Sequence, residues 1–178
     1  MKKMTAFFLA LTSFMIFMAC EKNENAKKTT VAEESTQIAN PIQESSAEEI
    51  LQKIGVEFEL PEGAEDISYS IISGQTAQMD FIWNGAKCCA RIEPSLALEL
   101  QDISGFYFDW KNESVCKVSY NEAQVKWTTD ENGDTLGICI WWDAVPGLMY
   151  SVSMKSNANE ENLSALANAI YIQMQGEA

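Results

Sequence analysis

Five cysteines, 26 acidic residues and no histidine set the chemistry open to this 178-residue chain. Without histidine there is no Ser-His-Asp or Cys-His nucleophile system, no His-ligated zinc and no imidazole pH switch. The cysteines are therefore the first candidates. Cys88, Cys89, Cys116 and Cys139 form an even set, and four cysteines allow three complete pairings that spacing alone does not resolve. One reading is one or more disulfides, each worth about 2–4 kcal/mol; the other is free buried thiols. The lack of Cys-x-x-Cys and of histidine argues against a redox or metal role, so no metal and no cofactor are expected. On strands, Cys88 shares parity with Ala90 and Ile92, and Cys116 with Val118 and Tyr120, which turns both toward a core. Cys89 goes with Lys87 and Arg91, toward solvent. In a simple meander Cys116 and Cys139 lie two strands apart, roughly 10 Å, which is too far for a bridge.

Two further sets of side chains could bind a ligand. Phe106, Phe108 and Trp110 alternate along one segment, and Trp141 with Trp142 puts one indole on each face of a strand. Most such aromatics belong to a core. The outward ones, taken to be Trp141 and Tyr107, would line a groove for an apolar ligand, a peptide or a sugar. Lys87, Arg91, Lys117 and Lys126 fall on the polar parity of three strands. They form either a positive stripe for a carboxylate, a phosphate or an acidic polymer, or cross-strand pairs with acids such as Glu93, Asp109 and Glu122. The acids themselves select no catalytic pair by spacing. Asp130-x-Asn132-x-Asp134 echoes a calcium loop, but Gly133 falls early and the twelfth position is Trp141, so it reads as a hairpin. No Gly-rich phosphate loop, Ser-x-x-Lys or Gly-x-Ser-x-Gly motif is present.

The elements that must position these residues follow from punctuation. Ser46 and Glu49 make a capping box before Ile50, Leu51 and Ile54, and Gly55 ends a short helix over 46–54. Runs rich in β-branched and aromatic residues then predict strands at 67–73, 78–83, 86–92, 106–111, 115–121, 123–129, 136–142 and 149–155. Asn84-Gly85 and Asn132-Gly133 predict tight hairpins. Asn159 caps a closing helix whose Leu163, Leu166, Ala167, Ile170 and Met174 share one face. The fold class is α+β: a curved antiparallel sheet of about eight strands, with a short N-terminal helix and a C-terminal helix packed on it. A chain of this length with 47% hydrophobic residues suits one domain with a core.

The N-terminus points to the destination. Lys2 and Lys3 precede an apolar run over 4–18, short for a membrane span and laid out as a secretory signal. Phe17-Met18-Ala19-Cys20 resembles a bacterial lipobox, although Phe17 stands where Leu is usual. Residues 1–19 thus read as a lipoprotein signal peptide and Cys20 as the lipidated residue. Residues 20–44 read as a flexible acidic tether, and 45–178 as the single domain. A formal charge of −14, with 12 basic residues against 26 acidic, provides no footprint for nucleic acid. The expected partners are the membrane, through the anchor, and a small ligand or an envelope protein.

Asn40-Pro41-Ile42, Gly55, Leu60-Pro61, Ala77-Gln78-Met79, Asn84-Gly85, Arg91, Asp102-Ile103-Ser104-Gly105-Phe106-Tyr107, Trp142, Gly147 and Tyr150 follow one another in a recognisable progression. Over about residues 40–174 the chain resembles a family of domains of unknown function. That family occurs on lipoproteins, and on anti-sigma-factor-like membrane proteins, of low-GC Gram-positive bacteria. The resemblance implies an extracytoplasmic location and an α+β fold, and assigns no functional residue. The vicinal Cys88-Cys89 departs from that pattern. The expectation is a non-enzymatic envelope lipoprotein that binds a ligand or partner, in sensing or envelope maintenance. The alternatives are a structural or inhibitory interaction module, and a carboxylate-based hydrolase.

Overall fold

The structure is a computed structural model that describes residues 41–171, Leu98 excepted. The signal-like segment, Cys20, the first part of the expected tether and Met174 lie outside the described residues. The described residues form eight strands and two helices. They are β1 (Ile42–Ser45), α1 (Ala47–Ile54), β2 (Glu65–Ile72), β3 (Thr76–Trp83), β4 (Ala86–Pro94), β5 (Asn112–Val118), β6 (Asn121–Thr129), β7 (Thr135–Asp143), β8 (Leu148–Lys155) and α2 (Glu160–Ile170). One open antiparallel sheet holds all eight strands in the order β1-β2-β3-β4-β8-β7-β6-β5. The fold is α+β, as expected.

Two four-stranded meanders build the sheet, joined where β4 pairs with β8. Local chemistry makes the hairpins. At the β3–β4 turn Asn84 and Gly85 have φ of 51° and 75°, the left-handed pair that matches strand twist. Asn132-Gly133 closes differently: only Gly133 has positive φ, and the Asp130 carboxylate caps the loop by accepting from the N–H groups of Asn132 and Asp134. It is the hairpin expected, with a longer loop.

Two expected boundaries shift. Ile42–Ser45 pairs with β2, so ordered sheet begins inside the segment read as tether. The polar composition of that segment hid an edge strand whose pairing comes from β2. Residues 106–111, expected as a strand, join no ladder. The chain leaves β4 in the middle of the sheet and must reach β5 at its far edge, so this connection crosses a sheet face instead of extending the ladder.

The helices cover the other face. In α1 Ser46 accepts from the Glu49 N–H while Glu49 accepts from the Ser46 N–H, and Gly55 ends the helix. Asn159 caps α2 by accepting from the Asn162 N–H. The α2 residues Leu163, Leu166, Ala167 and Ile170 are buried in one core with Val125, Cys139, Trp141 and Val152. α2 packs against β5 to β8, and α1 against β2 and β3. On the opposite face Ile138, Ile140, Met149, Ser151 and Ser153 are also buried. The 95–111 connection lies over that face, held by the Arg91 guanidinium donating to the Ile103 carbonyl at 3.1 Å. Gly105 (φ 72°) allows this approach, since a Cβ there would overlap the guanidinium. Among the described residues no helix is long and apolar enough to cross a membrane.

Candidate functional site

The crossing connection leaves hollows along its line of contact with the sheet. The first, of about 320 Å³, is floored by Gln78, Asp80, Lys87, Cys89, Arg91, Ser153 and Lys155 and walled by Phe106 and Asp66. A second, of about 570 Å³, opens on the far side of Lys155, between Phe108, Asp109, Lys111, Leu136 and the β6–β7 hairpin. Lys155 lines both, and its ammonium stands 5.8 Å above the Phe106 ring. Phe106, Phe108 and Trp110, expected to alternate on a strand, instead form an aromatic row with centroids 6.3 Å and 5.6 Å apart.

The electrostatics of the first hollow come from register. β4–β8 pairing sets Lys87 directly opposite Lys155, and Arg91 lies on the same side of β4. Among the described residues none of these three cations has a carboxylate within 4.0 Å. Arg91 is partly used: its Nε donates to Gln78 Oε1 at 2.8 Å. Gln78 in turn donates to Asp80 at 2.6 Å. Cys89 lies across from Asp80, and burial, followed by the Asp80 charge, pushes its thiol up to about 12. It is a neutral thiol at physiological pH.

The other expected site residues divide. Lys117 faces Glu122 across β5–β6, and Lys126 forms an ion pair with Glu113 at 4.0 Å, so the four-cation stripe does not form. Glu93 accepts from Thr76 and Gln75 and, among the described residues, has no lysine within 4.0 Å. Tyr107 is 87% exposed, beside a hollow of about 250 Å³ with Arg91, Glu93, Asp102 and Gly105. Trp141 does not line a groove. It is 0% exposed on the helix face, stacked on Tyr150 at 4.9 Å and edge-on to Tyr171. Parity separates Trp141 from Trp142 as expected, with the inward and outward roles exchanged, because α2 covers the face to which Trp141 belongs. Beside this stack the buried Asp143 accepts from the hydroxyls of Tyr171 and Tyr120.

The cysteines keep the faces that parity assigns but depart from two expectations: Cys89 is not turned to solvent, since the crossing connection covers its face, and the distance argument for Cys116 and Cys139 does not hold. Cys88 is buried on the helix face, and burial pushes its thiol up to about 11. Cys116 and Cys139 lie two strands apart, as expected, yet their sulfurs come within 4.0 Å. Both side chains lean over β6, where Ala123 is small enough to leave room. All four of these cysteines are free thiols. Lys155 is the residue that sequence reasoning missed, and Phe106, singled out as one of an alternating aromatic set, was not placed beside the lysines. Their only signal was strand parity and aromatic spacing, because their proximity to Lys87 needs the non-local β4–β8 pairing.

Comparisons with protein-family models, curated proteins and solved structures gave no match.

Proposed function

We propose that this chain is a non-enzymatic lipoprotein of the cell envelope, anchored through Cys20, whose sheet domain binds a small anionic ligand. The binding site is the cleft between β3, β4, β8 and Phe106. One observation carries the reading: Lys87 and Lys155 stand opposite each other in register, with Arg91 on the same face, and among the described residues none of the three has a carboxylate within 4.0 Å, in a chain of charge −14. Like charges directly opposite on a sheet are destabilising, and a bound carboxylate or phosphate group relieves that repulsion. Phe106 offers an apolar wall for the rest of such a ligand, and Asp66 and Asp80 supply an acidic border. The neutral Cys89 thiol supports binding over nucleophilic chemistry. The lipobox-like segment and the family resemblance support the outward-facing location, and a role in sensing or envelope maintenance accords with both.

The test is native mass spectrometry of the protein purified from a native-like host, followed by titration with the ligand class found. A co-purifying anion is expected, with affinity lowered at least tenfold by Lys155→Met and unchanged by Lys117→Met. A clean ligand-free mass, with no binding across a panel of carboxylates and phosphates, would overturn the cleft. It would favour the interaction-module reading, for which the open sheet provides β5 as an edge strand with Val115 exposed.

A further inference from the structure

On the sheet face opposite the cleft, Cys116 of β5 and Cys139 of β7 place two sulfurs 4.0 Å apart. The register explains how. Cys116 is paired with Ala123 of β6, and Cys139 with Val125 two residues along, so the two thiols meet above β6 from either side. The same register keeps them from closing into a disulfide. Strands two apart are separated by roughly 9.5 Å, whereas bridged cysteines have Cα atoms within about 6.8 Å. The intervening backbone of β6 is hydrogen-bonded to both neighbours and cannot be vacated.

Two sulfurs held near 4 Å without bonding suit a single thiophilic ion. At a metal–sulfur length of about 2.3 Å, a 4.0 Å separation gives a sulfur–metal–sulfur angle of roughly 120°, and a small outward lean of Cys116 opens it further. The donor set then selects the ion. Among the described residues no group of three or more His, Cys, Asp or Glu converges anywhere, so zinc, which takes four ligands, is not served. Soft thiolates favour Cu(I), which is content with two. The placement also suits loading. Cys116 is only partly buried and lies on the edge strand, which gives the ion a way in, while Cys139 is 0% exposed.

We propose that Cys116 and Cys139 form a two-sulfur binding site for Cu(I). Binding exchanges the two thiol protons for one metal ion: two metal–sulfur bonds form, the protons pass to solvent, and no electron is transferred.

The test uses the full chain carrying Cys20→Ser, Cys88→Ser and Cys89→Ser, so that only this pair remains, with Cu(I) supplied anaerobically. One copper per chain is expected in native mass spectra, with a two-sulfur first shell in X-ray absorption. Adding Cys116→Ser is expected to lower the affinity at least a hundredfold in competition with a Cu(I) chelator, while the metal-free protein keeps its far-ultraviolet circular dichroism and Tm. Equal copper binding with and without Cys116→Ser would overturn the proposal. So would a Cys116–Cys139 disulfide in protein isolated without reductant, since it would show that the strands do approach.

Discussion

Gly137 on β7 sits under α2, and a methyl group there tests how the helix is seated. A Cβ at this position would lie 2.6 Å from Leu163 Cδ1, 3.0 Å from Trp127 Cβ and 3.1 Å from Ala158 Cβ. The Leu163 contact is with the far end of a side chain that can rotate, but the other two are with atoms fixed to backbone. Relief therefore requires β6 or the segment leading into α2 to move. Overpacking of this kind costs about 1–3 kcal/mol. Replacing glycine restricts the unfolded chain, which returns only about 0.4–1 kcal/mol. Gly137→Ala is thus expected to destabilise by roughly 1–2 kcal/mol. Leu163 is fully buried, and Leu163→Ala alone should cost about 2–5 kcal/mol. In the double variant the new methyl occupies part of the space that Leu163 leaves. The combined loss should fall short of the sum by about 1 kcal/mol or more, well outside the ~0.5 kcal/mol scatter of independent sites. Urea unfolding followed by tryptophan fluorescence measures all three, with Trp127 as a reporter at the contact. Additive effects, or a neutral Gly137→Ala, would refute the docking of Leu163 on Gly137 and with it the account of which sheet face α2 covers.

Tyr171→Phe removes a hydroxyl that donates to the buried Asp143 carboxylate and should cost about 1.5–3 kcal/mol. Tyr120→Phe, at a partly exposed bond of 3.1 Å, should cost less; equal losses in thermal melts would contradict this ranking. Stability should also decline in alkali. Burial raises Cys88 to about 11 and Cys89 to about 12 from an ordinary 9.0, and raises Tyr150 and Tyr171 above 10. Each group gives up its proton first in the unfolded chain. Their stabilisation is therefore complete below about pH 9 and is lost as pH rises through 9 to 12. The urea midpoint should fall over that range, and less steeply in Cys88→Ala; a flat profile to pH 11 would count against these burials.

Much of the fold could be read along the chain because the signals are local. The Ser46–Glu49 capping box, the Asn159 cap, the Asn84-Gly85 turn and the parity of β3, β4 and β6 to β8 act over a few residues, and each forms as its chemistry requires. The absence of histidine and the acidic balance likewise bound the chemistry through composition alone. What the chain alone did not decide depends on contacts between distant residues. Ile42–Ser45 is a strand because β2 offers it an edge, and the segment 106–111 is a cover because β4 pairs with β8 and leaves β5 to be reached across a face. Trp141 is inward because α2 lies on its face. Lys87 meets Lys155, and Cys116 meets Cys139, only through strand registers between segments at least 23 residues apart. Parity is a property of one strand and is legible in its sequence. Which strands become neighbours, and hence which side chains share a site, is a property of the whole sheet.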